Sequence, residues 1–411
     1  MGAPGPIPTP SATSPITTSP TIPVTPSPTS PVTRAPTTAS TPDATSSAEP
    51  TATRAPEPTM AASSAAPPPT THLADAAAFM PPGAQQLFFT NWSAIKRAIG
   101  AEDVTSKSPL EERIAVSLAT IKPEAAPSGF GSRHLRTHAD LWGFDTMDLE
   151  WEATVQEPRG SPTRVLRFRE GFDLAPVAAR FDERDFSTEH LEGGAVLRSH
   201  EMDLSQDWIT GSELAILNTA FLDDGRTLVA SSDPEAVRAV VAEVIDQGAK
   251  TLPVLAVIGL LEGASAAIVL SGDDTCDHFA PFALEPDSLE RAQQELAAAG
   301  PLSRYSALGV GYSTGWHPDG RILFAYADPE AAAADLSGRA NLAKEGTSVR
   351  FGRPYAETAF TLEAAELQAA DDTGGRGGSA LTLRVAPTNE MPRRLFDMVI
   401  GRDMLFAACT G

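Results

Sequence analysis

Asp224-Gly225-Arg226-Thr227-Leu228-Val229-Ala230-Ser231-Ser232-Asp233-Pro234-Glu235-Ala236 returns 95 positions later as Asp319-Gly320-Arg321-Ile322-Leu323-Phe324-Ala325-Tyr326-Ala327-Asp328-Pro329-Glu330-Ala331, with nine of thirteen positions identical. Asp-Gly is a tight-turn pair, because glycine tolerates positive φ, and the seven residues after it alternate as a strand does. Asp233 and Asp328 then cap a helix, with Pro234 and Pro329 at the first helical position, where a missing N–H costs nothing. The same offset pairs Thr219 with Thr314 and Phe221 with Trp316, so each copy reads strand, turn, strand, helix. The expected fold class is therefore α+β: two related halves, the first to about residue 280 and the second from about 281, form an antiparallel sheet backed by helices.

Residues around this frame agree with it. Leu149, Trp151, Ala153 and Val155 alternate with Glu150, Glu152, Thr154 and Gln156, a strand with one buried and one wet face. Residues 164–169 return as its hairpin partner, and Gly193-Gly194 signals a two-residue hairpin between 187–192 and 195–199. Residues 86–90 read as a strand, with Asn91 capping a helix that runs to Ile99. Ser108-Pro109-Leu110-Glu111 fits a capping box, with Leu110, Ile114 and Leu118 as the apolar stripe of the helix it opens. Val237, Val240, Val241, Val244 and Ile245 give the helix of the first copy a full apolar face, whereas the second copy keeps only Ala332 and Leu336. Val257-Ile258-Gly259 resembles Val399-Ile400-Gly401 at a longer offset, which an insertion of 47 residues in the second copy explains. That insertion holds strand candidates near 359–362 and 380–385, joined through a loop at 371–378.

Residues 1–72 are almost wholly Pro, Thr, Ser and Ala, too poor in apolar side chains to offset the entropy of ordering, and read as a disordered linker before a folded region, 73–411. Such Ser/Thr/Pro stalks suit an extracytoplasmic setting. The formal net charge of −22 falls almost entirely on the folded region. It disfavours nucleic acid and anionic membrane surfaces as partners. The most apolar run, 254–270, is broken by Gly259, Glu262 and Gly263 and reads as a buried helix and strand, with no transmembrane segment. The start of the chain shows neither the basic stretch nor the apolar run of a secretory signal.

Candidate chemistry is sparse. Gly311-Tyr312-Ser313-Thr314-Gly315 matches the nucleophile motif of serine hydrolases, but Trp316-His317-Pro318-Asp319-Gly320 leads into a turn and a strand, whereas a nucleophile elbow needs a helix. His134 and His138 share a helical face without the glutamate of a zinc motif, and read as a solvated polar face. Asp273, Asp274, Cys276, Asp277 and His278 lack the alternate oxygen donors of a calcium loop. Gly374-Gly375-Arg376-Gly377-Gly378 lacks the lysine of a phosphate loop and reads as a flexible hairpin tip. Trp142, Trp208 and Trp316 are exposed-looking aromatics that could line a site. No catalytic, metal or cofactor set is assigned.

A Thr/Pro/Ser stalk leading into an Ala-rich, acidic α+β domain with two cysteines is similar to uncharacterised cell-envelope lipoproteins and secreted proteins of GC-rich actinobacteria. The resemblance implies a secreted or envelope-associated protein, although a lipid-acceptor cysteine near the start is missing. The expected function is a non-catalytic stalked binding or structural domain, carrying a hydrophobic ligand or meeting an envelope protein partner. The alternative is an envelope hydrolase using Ser313 with His317 or another histidine as base. Cys276 and Cys409 are the only cysteines and follow strand candidates at 266–270 and 404–408. If those strands are neighbours, the two cysteines form a disulfide, as an exported protein favours.

Overall fold

A computed structural model describes residues 72–125, 135–158, 160–201, 213–246, 253–272, 275–281, 285–314, 319–370 and 378–410. The expected linker, 1–72, lies outside the described residues except for His72. In chain order the strands are β1 (Gln86–Thr90), β2 (Leu149–Gln156), β3 (Thr163–Phe168), β4 (Ser187–His190), β5 (Val196–Ser199), β6 (Asn218–Phe221), β7 (Thr227–Ser231), β8 (Ala266–Ser271), β9 (Ala307–Ser313), β10 (Asp319–Tyr326), β11 (Phe360–Ala370) and β12 (Gly378–Pro387). They form one sheet in the order β11-β12-β10-β9-β8-β1-β2-β3-β7-β6-β5-β4, antiparallel at every junction.

The helices are α1 (His72–Ala77), α2 (Trp92–Ala98), α3 (Leu110–Thr120), α4 (Leu135–Trp142), α5 (Ala175–Asp182), α6 (Pro234–Asp246), α7 (Pro253–Leu260), α8 (Pro286–Ala299), α9 (Pro329–Glu345), α10 (Tyr355–Thr358) and α11 (Arg393–Ile400). The first Asp-Gly stretch forms the expected unit of β6, turn, β7 and α6; in the second, β9, β10 and α9 follow in the same order, but Asp319 and Gly320 are already strand residues of β10, paired with Ser313 and Tyr312, and not the expected tight turn. At each helix start the aspartate accepts the N–H of the residue two positions on, Glu235 at 3.0 Å and Glu330 at 2.9 Å. The strands expected as an insertion are integral to the sheet. β12 flanks β10 on the side away from β9, as β3 flanks β7 on the side away from β6, and β11 lies beyond β12 as β2 lies beyond β3.

Helices cover both faces, because strand alternation gives each face its own apolar set. On one face Val165, Val229, Val269 and Leu323 join α1, α6 and α7 in a core that runs across both halves of the sheet. On the other, Ile268, Val310, Ile322 and Phe324 pack with α8, α9 and α11, while Leu166, Phe168 and Leu228 pack with α4 and α5. Buried Glu152 and Thr154 on β2 stand between those two clusters. Gly309 and Gly311 on β9 let α7 lie flat on the strand, since a Cβ at either position would meet Val257 or Leu261.

Four local expectations change. The ladder of the β4–β5 hairpin stops at His190 and Val196, and Leu191 N–H donates to Ala195 O at 2.8 Å, so its connection is longer than two residues. Ser108 Oγ accepts from Thr105 N–H and leaves the start of α3 uncapped by a side chain. Ile114 and Leu118 are exposed, because α3 turns Arg113 inward to the buried carboxylate of Asp145. Residues 404–408 form no strand; Leu405–Ala407 is a single 3-10 turn.

That C-terminal turn is held by α9, whose buried face carries a charged pair among Ala332, Leu342 and Ala343. Arg339 and Asp335 are fully buried and paired at 3.0 Å. Arg339 donates to the carbonyls of Phe406 (2.8 Å), Ala408 (3.0 Å) and Ser303 (2.7 Å), and its guanidinium lies over the rings of Tyr305 and Phe324. Asp335 accepts from Ser303 N–H and Tyr326 Oη. Removing one partner leaves the other charge buried and uncompensated, which typically costs about 3–5 kcal/mol. Arg339→Met is expected to lower unfolding free energy by that amount in urea titration; a loss under about 1 kcal/mol would show that the pair is dispensable.

Candidate functional site

A cleft of about 1190 Å³ opens between the 348–354 turn, α10 and α11. Its cations are Arg350, Arg353 and Arg394; its apolar rim includes Phe351 and Ile400, which are 60% and 44% exposed. The turn is closed by Ser348 N–H donating to Arg353 O (2.9 Å) and Gly352 N–H to Ser348 O (2.8 Å), with Gly352 at φ 65°, a conformation that glycine supplies at little cost. Buried Asp403 organises this turn from the other wall. Its carboxylate accepts from Ser348 Oγ at 2.5 Å and from Arg350 N–H at 3.3 Å, while Ser348 Oγ accepts from Phe351 N–H at 3.0 Å. Backbone and hydroxyl donors hold Asp403, whose carboxylate also feels the charge of Arg350, and the Arg350 guanidinium lies over the Phe351 ring, 5.5 Å from its centroid.

The arrangement works against local electrostatic convenience. Arg393 and Arg394 occupy the first turn of α11, which itself holds no acidic residue, although helix N-termini favour anions. Asn389, Glu390 and Arg402, around the same cleft, have φ of 56°, 52° and 56°, and left-handed backbone in residues with a Cβ concentrates at functional sites. Of the acids in the lining, Asp397 pairs with Arg393 at 3.0 Å, Asp403 is committed to the turn, and Glu357 remains. Arg350, Arg353 and Arg394 make no ion pair among the described residues. Arg394 is aimed by donating to Thr358 O at 2.6 Å. Planar guanidinium forks of this kind match carboxylate and phosphate oxygens.

The sequence candidates lie elsewhere. Ser313 ends β9 opposite Asp319 and donates to Gly263 O at 3.2 Å, in a strand that pairs with β10 and leads into no helix. His317, Trp316, Trp208 and His134 lie outside the described residues, as do Asp273, Asp274 and 374–377. Trp142 is fully buried against Phe181, so it lines no surface site. His138 is also buried, on the inward face of α4, and is no part of a solvated face. Asp277 is engaged by Arg304 through both carboxylate oxygens. Among the described residues no group of three or more His, Cys, Asp or Glu could hold a metal ion.

Cys276 and Cys409 are joined, with Cα atoms 5.5 Å apart. The bond spans 133 positions, a loop whose closure restricts the unfolded chain by up to about 5 kcal/mol in the entropy model. It fastens the segment that follows the cleft wall, and His278, near the bond, has its pKa lowered by burial and by the charge of Arg402. Among the described residues no helix is long and apolar enough to cross a membrane. Comparison with protein-family models, with curated proteins and with solved structures finds no match.

Sequence reading missed the cleft because its cations come from two separated stretches, 350–353 and 393–402. One signal was present: arginine clustering in these stretches of an acidic chain.

Burial raises the Asp403 carboxyl above its ordinary pKa of 3.8, outweighing the Ser348 hydroxyl and the backbone N–H groups that pull it down. Because the folded pKa exceeds the unfolded one, the contribution of this group to stability is fully present below the unfolded pKa and is lost as pH rises through the folded pKa. Asp403→Asn, which cannot accept from all those donors, is expected to cost about 1–3 kcal/mol. Its deficit relative to the wild type should widen as pH falls from neutrality toward 3.8, measured by urea unfolding at several pH values. A deficit that narrows on acidification would contradict this reading.

Proposed function

We propose that the chain is a non-catalytic, extracytoplasmic binding domain carried on its Pro/Thr/Ser-rich segment, and that its ligand enters the arginine-lined cleft. The observation that carries this reading is the trio Arg350, Arg353 and Arg394, free of ion pairs among the described residues in a chain of net charge −22. Unpaired guanidinium groups in one cleft of an otherwise acidic protein gain most from an anionic ligand, which both supplies their partner and is drawn locally against the general field. The disulfide supports an oxidising compartment, since such bonds are rare in the cytosol of mesophiles. Ser313 ends strand β9 and donates to Gly263 O, and its candidate base His317 lies outside the described residues.

Native mass spectrometry of the protein purified from its own host should show an added mass that is lost in the double variant Arg350→Gln, Arg353→Gln. An added mass retained by that variant, or none in the wild type, would contradict binding at this cleft.

A further inference from the structure

The cleft is not purely an anion site. Phe351 and Ile400 belong to a short set of large apolar side chains that stand exposed, and both line the same wall system as the unpaired arginines. At about 1190 Å³ the space far exceeds what one phosphate or carboxylate group fills, and matches or surpasses the clefts that hold molecules of drug size. A free inorganic anion would satisfy the guanidinium groups and leave Phe351 and Ile400 in water. A neutral apolar molecule would cover those side chains and further desolvate unpaired arginines, which is costly.

Resting on the reading of the cleft as the binding site, we infer that its ligand is an anionic amphiphile: one molecule bearing a carboxylate or phosphate head and an apolar body. The head meets Arg350, Arg353 and Arg394, whose guanidinium N–H groups can donate to two oxygens side by side. The body lies along Phe351 and Ile400. Arg350 serves both parts, since its guanidinium already covers the Phe351 ring at 5.5 Å and leaves its outer N–H groups for an oxygen. Asp403 is the positioning residue: it holds the backbone of the turn through Ser348 Oγ and Arg350 N–H and so presents both side chains to the cleft.

Isothermal titration of the full chain with three probes separates the possibilities: decyl phosphate below its micellar concentration, inorganic phosphate, and decyl maltoside. Decyl phosphate is expected to bind at least about tenfold more tightly than either of the others, a difference of about 1.4 kcal/mol. Arg350→Gln with Arg353→Gln should weaken it by about tenfold or more, and Phe351→Ser, a change at an exposed side chain, by several-fold, with thermal unfolding of both variants unchanged. Equal affinity for inorganic phosphate would overturn the amphiphile inference and leave an anion-binding cleft. Equal affinity for decyl maltoside would overturn it in favour of an apolar groove. Failure of all three probes to bind would overturn the cleft reading itself.

Discussion

One buried ion pair ties the second half of the sheet to the end of the chain. Asp335 and Arg339 sit one turn apart on α9 at zero exposure, where an isolated charge would be prohibitively costly. The surroundings meet that cost with a near-complete set of hydrogen bonds, from Ser303 and Tyr326 to the carboxylate and from the guanidinium to three carbonyls. Two of those carbonyls belong to Phe406 and Ala408, so the pair does not merely sit in the core; it dictates where the C-terminal segment lies. Tyr305 Oη donating to Ala407 O at 2.6 Å and Leu405 N–H donating to Tyr355 Oη at 2.9 Å repeat the same device. The disulfide then closes the segment at Cys409.

The cleft inherits its shape from this clamp. Asp403 immediately precedes the clamped segment, and α11 and the left-handed Arg402 immediately precede Asp403. Fixing 405–409 against α9 therefore fixes the wall from which Asp403 reaches the 348–354 turn. Tyr355, fully buried between Phe360 and Phe406, joins the same clamp to α10 on the cleft's other side. The cleft's irregular segments are in this way positioned by a rigid scaffold of sheet and long helix.

How much was legible follows from how far each signal reaches along the chain. The strand and helix-start chemistry of both repeats and the turn at Asp224 are local and were read correctly, whereas Asp319 and Gly320 open β10 as strand residues; β2 is the expected strand, but the face expected to be wet is covered, with Glu152 and Thr154 buried. The strand register beyond the repeats was not legible, because nothing local says that β11 and β12 return to pair with β10 and form a sheet edge. The Leu110, Ile114, Leu118 stripe misled for a related reason: periodicity reports a helix, but the inward face was decided by Asp145, more than thirty positions from Arg113. In α9 the sequence pattern kept only Ala332 and Leu336 of the apolar stripe, and Asp335 and Arg339 were not singled out. Their spacing of four, in the middle of a run with Ala332, Leu342 and Ala343, is the trace they left. The disulfide was expected through a strand that does not exist; the cysteines meet because Arg339 brings the last turn against the loop after β8. The arginines of the cleft carried only a compositional trace, since a binding site assembled from two segments has no period of its own.

The cleft beside the C-terminal clamp is the proposed place at which this protein takes up an anionic ligand. Amide chemical-shift mapping during a titration with decyl phosphate tests it most directly. Saturable shifts confined to 348–354, 357–359 and 393–403 are the predicted result. Shifts centred instead on the exposed face of α3, around Ile114 and Leu118, with the cleft amides unmoved, would contradict it.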